Sequence, residues 1–268
     1  MKLLIISGSQ NRHLSILPPF LNLDGITVDW IVYKRKLVPQ STNPSVFLQE
    51  HLNRLQNDEL SLIGKYNLEE LLANPSIHRS LLISNLSDLN SQSSSDFAFK
   101  SFSYDATLVY GCGIIKKQLY ETLPKPVINI HGGISPYFKG SSTLLYSLAL
   151  GQPELLGMTI HDIDEGIDSG SIYCHIFPHL NSSMRPTRMF AECQKALIHN
   201  IAPIVQCIVN KSITSTPQSK FGRTFMERDY REQVLHSIYT MYEQNLYSFT
   251  DSSLKTLRSL YKLKPWNP

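Results

Sequence analysis

A mostly parallel, three-layer α/β domain with a short helical tail is the fold class that the sequence predicts. Three patterns carry it. Short β-branched runs recur from the first residues onward, segments with helical apolar spacing lie between them, and beyond residue 210 the pattern turns helical.

The chain opens with "KLLIISG", a strand, and turns at "SGSQNRH" into a helix-like segment. "GITVDWIVY" is a second strand. Residues 46 to 75 have helical spacing, with Leu48, Leu52 and Leu55 near one face. "HRSLLISNLSDLNSQSSSDF" holds a strand and then a Ser/Asn-rich surface loop. "YDATLVYG" reads as a strand, "IIKKQLYETL" as a helix and "PVINIH" as a strand. "SSTLLYSLALG" is a helix with serines to cap its start and a glycine past its end. "GMTIHDID" and "SIYCHIF" are strands flanking "EGIDSG", and a helical region follows over about 182 to 210. In the tail, Val234, Ile238 and Tyr242 recur at steps of four, with Leu235, Tyr239 and Leu246 beside them. This is an amphipathic helix whose stripe packs on the main domain, a homodimer interface being its other use. The division expected is residues 1–210 as the main domain and 211–268 as a helical C-terminal extension packed on it.

Bulk properties narrow the function classes. A chain of 268 residues with 42% apolar and 18% charged residues can bury a real core. The formal net charge is only +3, with no dense Lys/Arg block, so neither nucleic acid nor a membrane is an expected partner. "MKLLIISGSQ" is too short in its apolar run for a signal peptide. The four cysteines (Cys112, Cys174, Cys193, Cys207) lack metal-ligand spacing, and a reducing cytoplasm is the expected compartment. His175 and His179 straddle Pro178 in an extended stretch, without helical metal-ligand spacing, and His161, beside the acidic loop, is read as a core residue, support for the site's residues from behind being its other use.

Chemistry concentrates where strands end, the place at which open α/β sheets bind ligands. Asn129 and His131 are two apart in an extended segment, so they share a side, while Ile128 and Ile130 face the core. Gly132 and Gly133 are expected to let the backbone turn sharply. Asp168 follows His131 by 37 residues, one helix and one strand later, a separation that suits a crossover back to the same sheet edge. An amide donor, an imidazole and a carboxylate suit an amine attacking an activated formyl or acyl carbon. A pre-aimed donor such as Asn129 contributes about 3–4 kcal/mol to an oxyanion. A histidine takes or relays the amine's proton near neutral pH, and an aspartate orients it and holds a proton-carrying water.

At this point "INIHGGISPYFKGSSTLLYSLALG" followed by "GMTIHDIDEGIDSGSIY" closely resembles the formyltransferase family that uses 10-formyltetrahydrofolate. The resemblance spans roughly residues 1 to 210 and implies a Rossmann-like sheet with helices on both faces. It gives Asn129, His131 and Asp168 the catalytic roles argued above, and 10-formyltetrahydrofolate as co-substrate, with no metal. It also implies that Cys112, Gly113, Ile114 and Ile115, with Ile163, Asp164, Glu165 and Gly166, hold the pterin largely through backbone groups. At "HGGIS" the chain departs from relatives with Pro or Ala and then Ser after the His, which alters the wall near the amine.

After residue 210 too few residues follow, in a helical pattern, for the β-barrel that enzymes formylating initiator methionyl-tRNA carry. "YGCGIIKK", "INIHGGISPYFKGSST" and "FGRTFMERDY" most resemble the small enzymes that N-formylate nucleotide-linked amino sugars for surface polysaccharides such as O-antigen. Glycinamide ribonucleotide or another small amine is the alternative acceptor. A nucleotide sugar brings a diphosphate. Gly8, Ser9, Asn11, Arg12 and His13 in the first turn offer donors for it, and Tyr137 and Lys139 offer further acceptor contacts.

Overall fold

The protein is described here from a computed structural model covering residues 1–34, 44–84, 90 and 103–267; most of the expected Ser/Asn-rich loop lies outside the described residues. The strands are β1 (Lys2–Gly8), β2 (Thr27–Tyr33), β3 (Ile77–Ile83), β4 (Ala106–Tyr110), β5 (Val127–His131), β6 (Phe138–Gly140), β7 (Met158–Asp162), β8 (Ile172–Ile176) and β9 (Arg223–Phe225). The helices are α1 (Asn11–Leu14), α2 (Pro18–Leu21), α3 (Val46–Ile63), α4 (Leu68–Leu72), α5 (Lys117–Tyr120), α6 (Thr143–Ala149), α7 (Pro186–Val209), α8 (Glu232–Glu243) and α9 (Asp251–Arg258).

Seven strands form one sheet in the order β3-β2-β1-β4-β5-β7-β8. The first five run parallel, whereas β7 pairs antiparallel with β5 and with β8. The sheet is therefore mostly parallel and layered on both faces, as the sequence predicts. β1 is central because its aliphatic run can be buried on both sides. Leu3 and Ile5 join the layer that includes Met189, Leu197, Ile201 and Ile204 of α7, while Leu4 and Ile6 join the other with Val109, Leu119 and Val127. The period of two extends to the edge: Ile128 and Ile130 pack in the first layer, which sends Asn129 and His131 to the opposite face.

Three local expectations differ from the structure. The α3 face that turns inward carries Leu48, His51 and Asp58, with Leu55 partly buried, whereas Leu52 is exposed. Asp58 is tolerated there because Arg185 donates to both its oxygens (2.8 and 2.5 Å) and Thr187 donates to one (2.7 Å). Ser142 precedes α6 in a left-handed conformation and makes no side-chain cap, while Gly151 past its end does adopt positive φ. The tail is not purely helical, since β9 pairs in parallel with β6.

Two buried histidines tie the tail to the body. His51 Nδ1 lies 3.1 Å from the Tyr239 hydroxyl of α8. His175 Nε2 donates to the Ser135 carbonyl (2.8 Å), and its Nδ1 accepts the Lys264 backbone N–H (2.9 Å). Burial lowers both pKa values to about 4. The folded state then binds fewer protons than an unfolded chain whose histidines titrate near 6.5. The resulting stability is complete above about pH 6.5 and is lost as pH falls toward 4. Urea midpoints should decline across that window, and less steeply in H51Q and H175Q. An unchanged slope in both variants would contradict this assignment.

Candidate active site

The cross-strand register builds the site. β5 and β7 place Asn129 opposite His161 and His131 opposite Thr159. Since alternate residues share a face, these four side chains form one polar patch at the end of a sheet whose other face is apolar. Thr159 Oγ accepts the Ser135 backbone N–H (2.9 Å) and donates to the Gly133 carbonyl (2.5 Å), which holds the turn after β5 against β7. That turn needs Gly133 for space: a Cβ there would lie 2.8 Å from His131 Nε2 and 2.6 Å from Thr143 Oγ1. Neither Gly132 nor Gly133 has positive φ, so close approach to the imidazole, and not a left-handed turn, is what demands glycine.

Asp168 reaches the patch by a route the sequence did not suggest. The strand after α6 returns antiparallel, so no crossover brings Asp168 to the end of β5. Instead the β7–β8 loop folds back, with Asp168 in the left-handed region at φ 47°. The carboxylate is then surrounded. Oδ2 accepts the Gly140 backbone N–H (2.8 Å) and lies 3.2 Å from His131 Nδ1. Oδ1 accepts from Asn129 Nδ2 (3.2 Å) and lies 3.4 Å from His161 Nε2. Two of the three predicted residues, Asn129 and His131, converge on the carboxylate of the third, Asp168, and His161, whose expected place is the core or just behind the site, is a fourth member.

The hydrogen bonds determine most of the proton positions. His161 Nδ1 donates to the Asp162 carbonyl (2.6 Å), so its Nε2 accepts from Asn129 Nδ2 (3.0 Å). Both protons of the Asn129 amide are thus directed at Asp168 and His161. The donor proposed for an oxyanion is held inward by the protein and must release one bond before it can act. His131 Nε2 donates to the Phe138 carbonyl (2.8 Å), leaving the Nδ1 lone pair of the neutral ring facing a carboxylate oxygen. A proton placed between Nδ1 and Oδ2 would satisfy both groups.

The electrostatics agree with this reading. Burial pulls the His131 pKa down, and His161 adds to that, while Asp168 pushes back up; the net direction is below 6.5. For Asp168, burial would raise the pKa, but positive charge on His131 and on His161 when those rings are protonated, together with the Gly140 N–H, outweighs it and holds the group well below the usual carboxylate range. His131 is 5% exposed, whereas the Asp168 side chain is 15% exposed, so the pair is approached from the aspartate side.

The remaining predicted contacts sit along the same carboxyl edge. The segment Cys112–Ile115 follows β4, between the ends of β1 and β5. Cys112 and Ile115 are buried, and Ile114 is 62% exposed beside Gly113 at φ 84°. Ile163 packs against the layer containing Cys112 and Ile115, and Glu165 pairs with Lys117, so the two loops expected to hold a pterin are joined. Asp164 caps its own loop, accepting from the Gly166 N–H (3.0 Å) and from Ser169 Oγ (2.6 Å). In the first turn, Asn11 bonds Gly64 and Tyr66, and Arg12 bonds Glu59 (3.3 Å) and Gln10 (2.5 Å). A Cβ on Gly8 would meet the His13 ring at 2.3 Å; Ser9 lies between β1 and the four-residue α1. Tyr137 accepts the Lys262 N–H at its hydroxyl (3.2 Å) and stacks edge-on with Tyr261, while Lys139 lies on β6. Asn11, Arg12 and Tyr137 are therefore engaged within the chain. A hollow of about 400 Å³ lined by Met1, Asp24, Gly25, Ile26, Gln206, Val209 and Asn210 lies at the opposite, amino end of the strands. Among the described residues no group of three or more His, Cys, Asp or Glu is arranged to hold a metal, and no helix is long and apolar enough to cross a membrane.

Residues 70–201, which contain Asn129, His131, His161 and Asp168, match the family model for formyl transferase. This segment belongs to the formyl transferase family. A methionyl-tRNA formyltransferase from Anaeromyxobacter dehalogenans (strain 2CP-C) is 36% identical over 76 residues, 28% of this chain and 24% of that protein. The chain thus aligns with about a quarter of the length of that curated relative. Among solved structures, an N-formyltransferase from Helicobacter canadensis, in complex with folinic acid and dTDP-3-aminofucose, superposes with TM-score 0.52 at 19% identity, covering 86% of this chain and 73% of that one. A phosphoribosylglycinamide formyltransferase from Anaplasma phagocytophilum gives 0.54 at 12% identity over 84% and 97%. The architecture is the Rossmann-like formyltransferase fold.

Nitrogen-detected NMR of the histidine rings should place the His131 titration below 6.5, with Nε2 protonated at neutral pH. In D168N, which removes the charge that props it up, the titration should fall further. A His131 midpoint that rises in D168N would refute this electrostatic assignment.

Proposed function

We propose that the protein transfers a formyl group from 10-formyltetrahydrofolate to the primary amine of a nucleotide-linked amino sugar, without a metal. The observation that carries this reading is the partly buried carboxylate of Asp168 shared by His131 and Asn129 (3.2 Å each), inside a formyl transferase segment. The similarity to a fold partner crystallised with folinic acid and dTDP-3-aminofucose supports both ligand classes. Residues 1–210 are taken as the catalytic unit, with 211–268 as an extension docked on it. A reducing cytoplasm, where the four unpaired cysteines stay thiols, is the compartment this reading implies.

The folate, when bound, supplies the formyl carbon that the amine attacks. The chain's own groups then have distinct tasks. Exposed Ile114 and partly buried Ile163 offer an apolar wall for a pterin, and the adjoining loops offer backbone polar groups. Asn129, released from Asp168, turns one N–H toward the oxygen on which charge develops; such a donor contributes about 3–4 kcal/mol. The proton lost by the amine enters on the more accessible Asp168 side and is held between Oδ2 and His131 Nδ1, where the imidazolium makes a charge-assisted bond, until it passes to the folate nitrogen as that nitrogen's bond to the formyl carbon breaks and tetrahydrofolate leaves. His161 keeps the Asn129 amide from rotating away.

The likeness to a phosphoribosylglycinamide formyltransferase, 97% of which is covered, favours glycinamide ribonucleotide as a second acceptor to test. Incubation with 10-formyltetrahydrofolate and a panel of nucleotide-linked 3- and 4-amino sugars, beside glycinamide ribonucleotide, should release tetrahydrofolate with an amino sugar. Turnover only with glycinamide ribonucleotide would replace the acceptor assignment, and turnover with no amine would reject the transfer. H131A and D168A should lower the rate by about two orders of magnitude or more with unchanged circular dichroism. Near-wild-type rates in both would remove the site.

A further inference from the structure

The Asp168 backbone is held from outside the matched segment. Gln218, in the tail between α7 and β9, donates through Nε2 to the Asp168 carbonyl (2.8 Å) and to the Gly170 carbonyl (2.6 Å). Ser135 Oγ adds only a long bond to the same Asp168 oxygen (3.4 Å). The orientation of the Gln218 amide follows from its partners, since two carbonyls require the NH₂ to face them. Its Oε1 is buried and has no hydrogen-bond partner among the described residues, so the amide is oriented by the two carbonyls it holds. Asp168 itself sits at φ 47°, a strained conformation for an L-residue that persists only where its surroundings impose it.

Gln218 belongs to a strap that runs along the site. Thr216 exchanges two backbone bonds with Ile172 (2.9 and 2.8 Å), at the end of the Asp168 loop. Gly222, at φ 105°, packs its backbone so close to Pro136 that a Cβ would lie 1.7 Å from the Pro136 carbonyl oxygen. Arg223 donates its N–H to the Tyr137 carbonyl (3.0 Å), and β9 then pairs with β6, the strand whose Gly140 N–H holds the Asp168 carboxylate. One tail segment therefore grips both the backbone of Asp168 and the strand that donates to its side chain.

We infer that Gln218 is a positioning residue for Asp168, and that the Thr216–Phe225 strap of the tail completes the site by holding that carboxylate against His131, His161 and Asn129. The inference rests on the formyl-transfer reading only for its kinetic consequence.

Two readouts test it. In ligand-free protein, histidine-ring titrations of Q218A and Q218M should show His131 altered while His51, on α3, keeps its wild-type midpoint. In the transfer assay, kcat should fall about ten- to a hundredfold, the scale of a small misplacement of a reacting group, with both KM values within about twofold. A His131 titration identical to wild type in both variants would overturn the proposal, because a residue that only anchors the tail would leave that ring untouched. If Q218A fails to fold, Q218M, close in shape but lacking the donor, carries both readings. The ring titrations need no donor or acceptor. A chain that formylates nothing therefore defeats the functional reading while the positioning role is still judged by NMR.

Discussion

The structure around the site depends on keeping one negative charge out of water. An isolated carboxylate cannot be buried cheaply, and the folded chain meets that cost with two donors and two imidazole rings from separate segments. The Gly140 N–H arrives from β6, the Asn129 amide from β5, and the His131 and His161 rings from β5 and β7. Each is present because of something further out. β6 is paired by β9 of the tail, the antiparallel register of β5 and β7 sets the two histidines on one face, and Gly133 leaves room for the His131 ring. The left-handed Asp168 is the point at which these constraints meet.

This arrangement gives the unliganded site a definite electrical state. His161 is a hydrogen-bond acceptor toward Asn129, Asn129 is directed inward, and a neutral His131 points a lone pair at a carboxylate. The last contact is the unsatisfied one. It becomes favourable when a proton arrives, so the pair is poised as a proton store, with the charged form stabilised by Asp168 and disfavoured by burial. An amine losing its proton as it gains an acyl bond provides that proton at the moment it is needed. The same logic explains why Asn129 is bonded inward before substrate arrives: buried amide protons need partners, and Asp168 and His161 serve until a better acceptor forms.

Much of this was legible in the sequence, for identifiable reasons. Alternation along "VINIH" places Asn129 and His131 together whatever the topology, and the buried runs of β1 and β4 mark central parallel strands. The direction of β7 was not legible, because "MTIHD" alternates identically in either sense. With that direction hidden, His161 could not be paired with Asn129; the signal present was its even spacing from Thr159 on a strand next to an acidic loop. Gln218 had no local signal at all, since its role comes from a contact fifty residues away in sequence. In α3, Leu52 looked like a core residue, yet His51 and Asp58 take the inward face because Tyr239 and Arg185 supply partners that local spacing does not reveal.

The central claim is that His131 and Asp168 act as one proton-holding unit, and a double-mutant cycle tests it most directly. The second-order rate constant for formyl transfer would be measured for wild type, H131N, D168N and the double variant. Two groups that function only together lose nearly everything with the first substitution. The double variant should therefore be about as slow as the slower single variant. Losses that multiply across the two positions would mean independent contributions and would contradict the account.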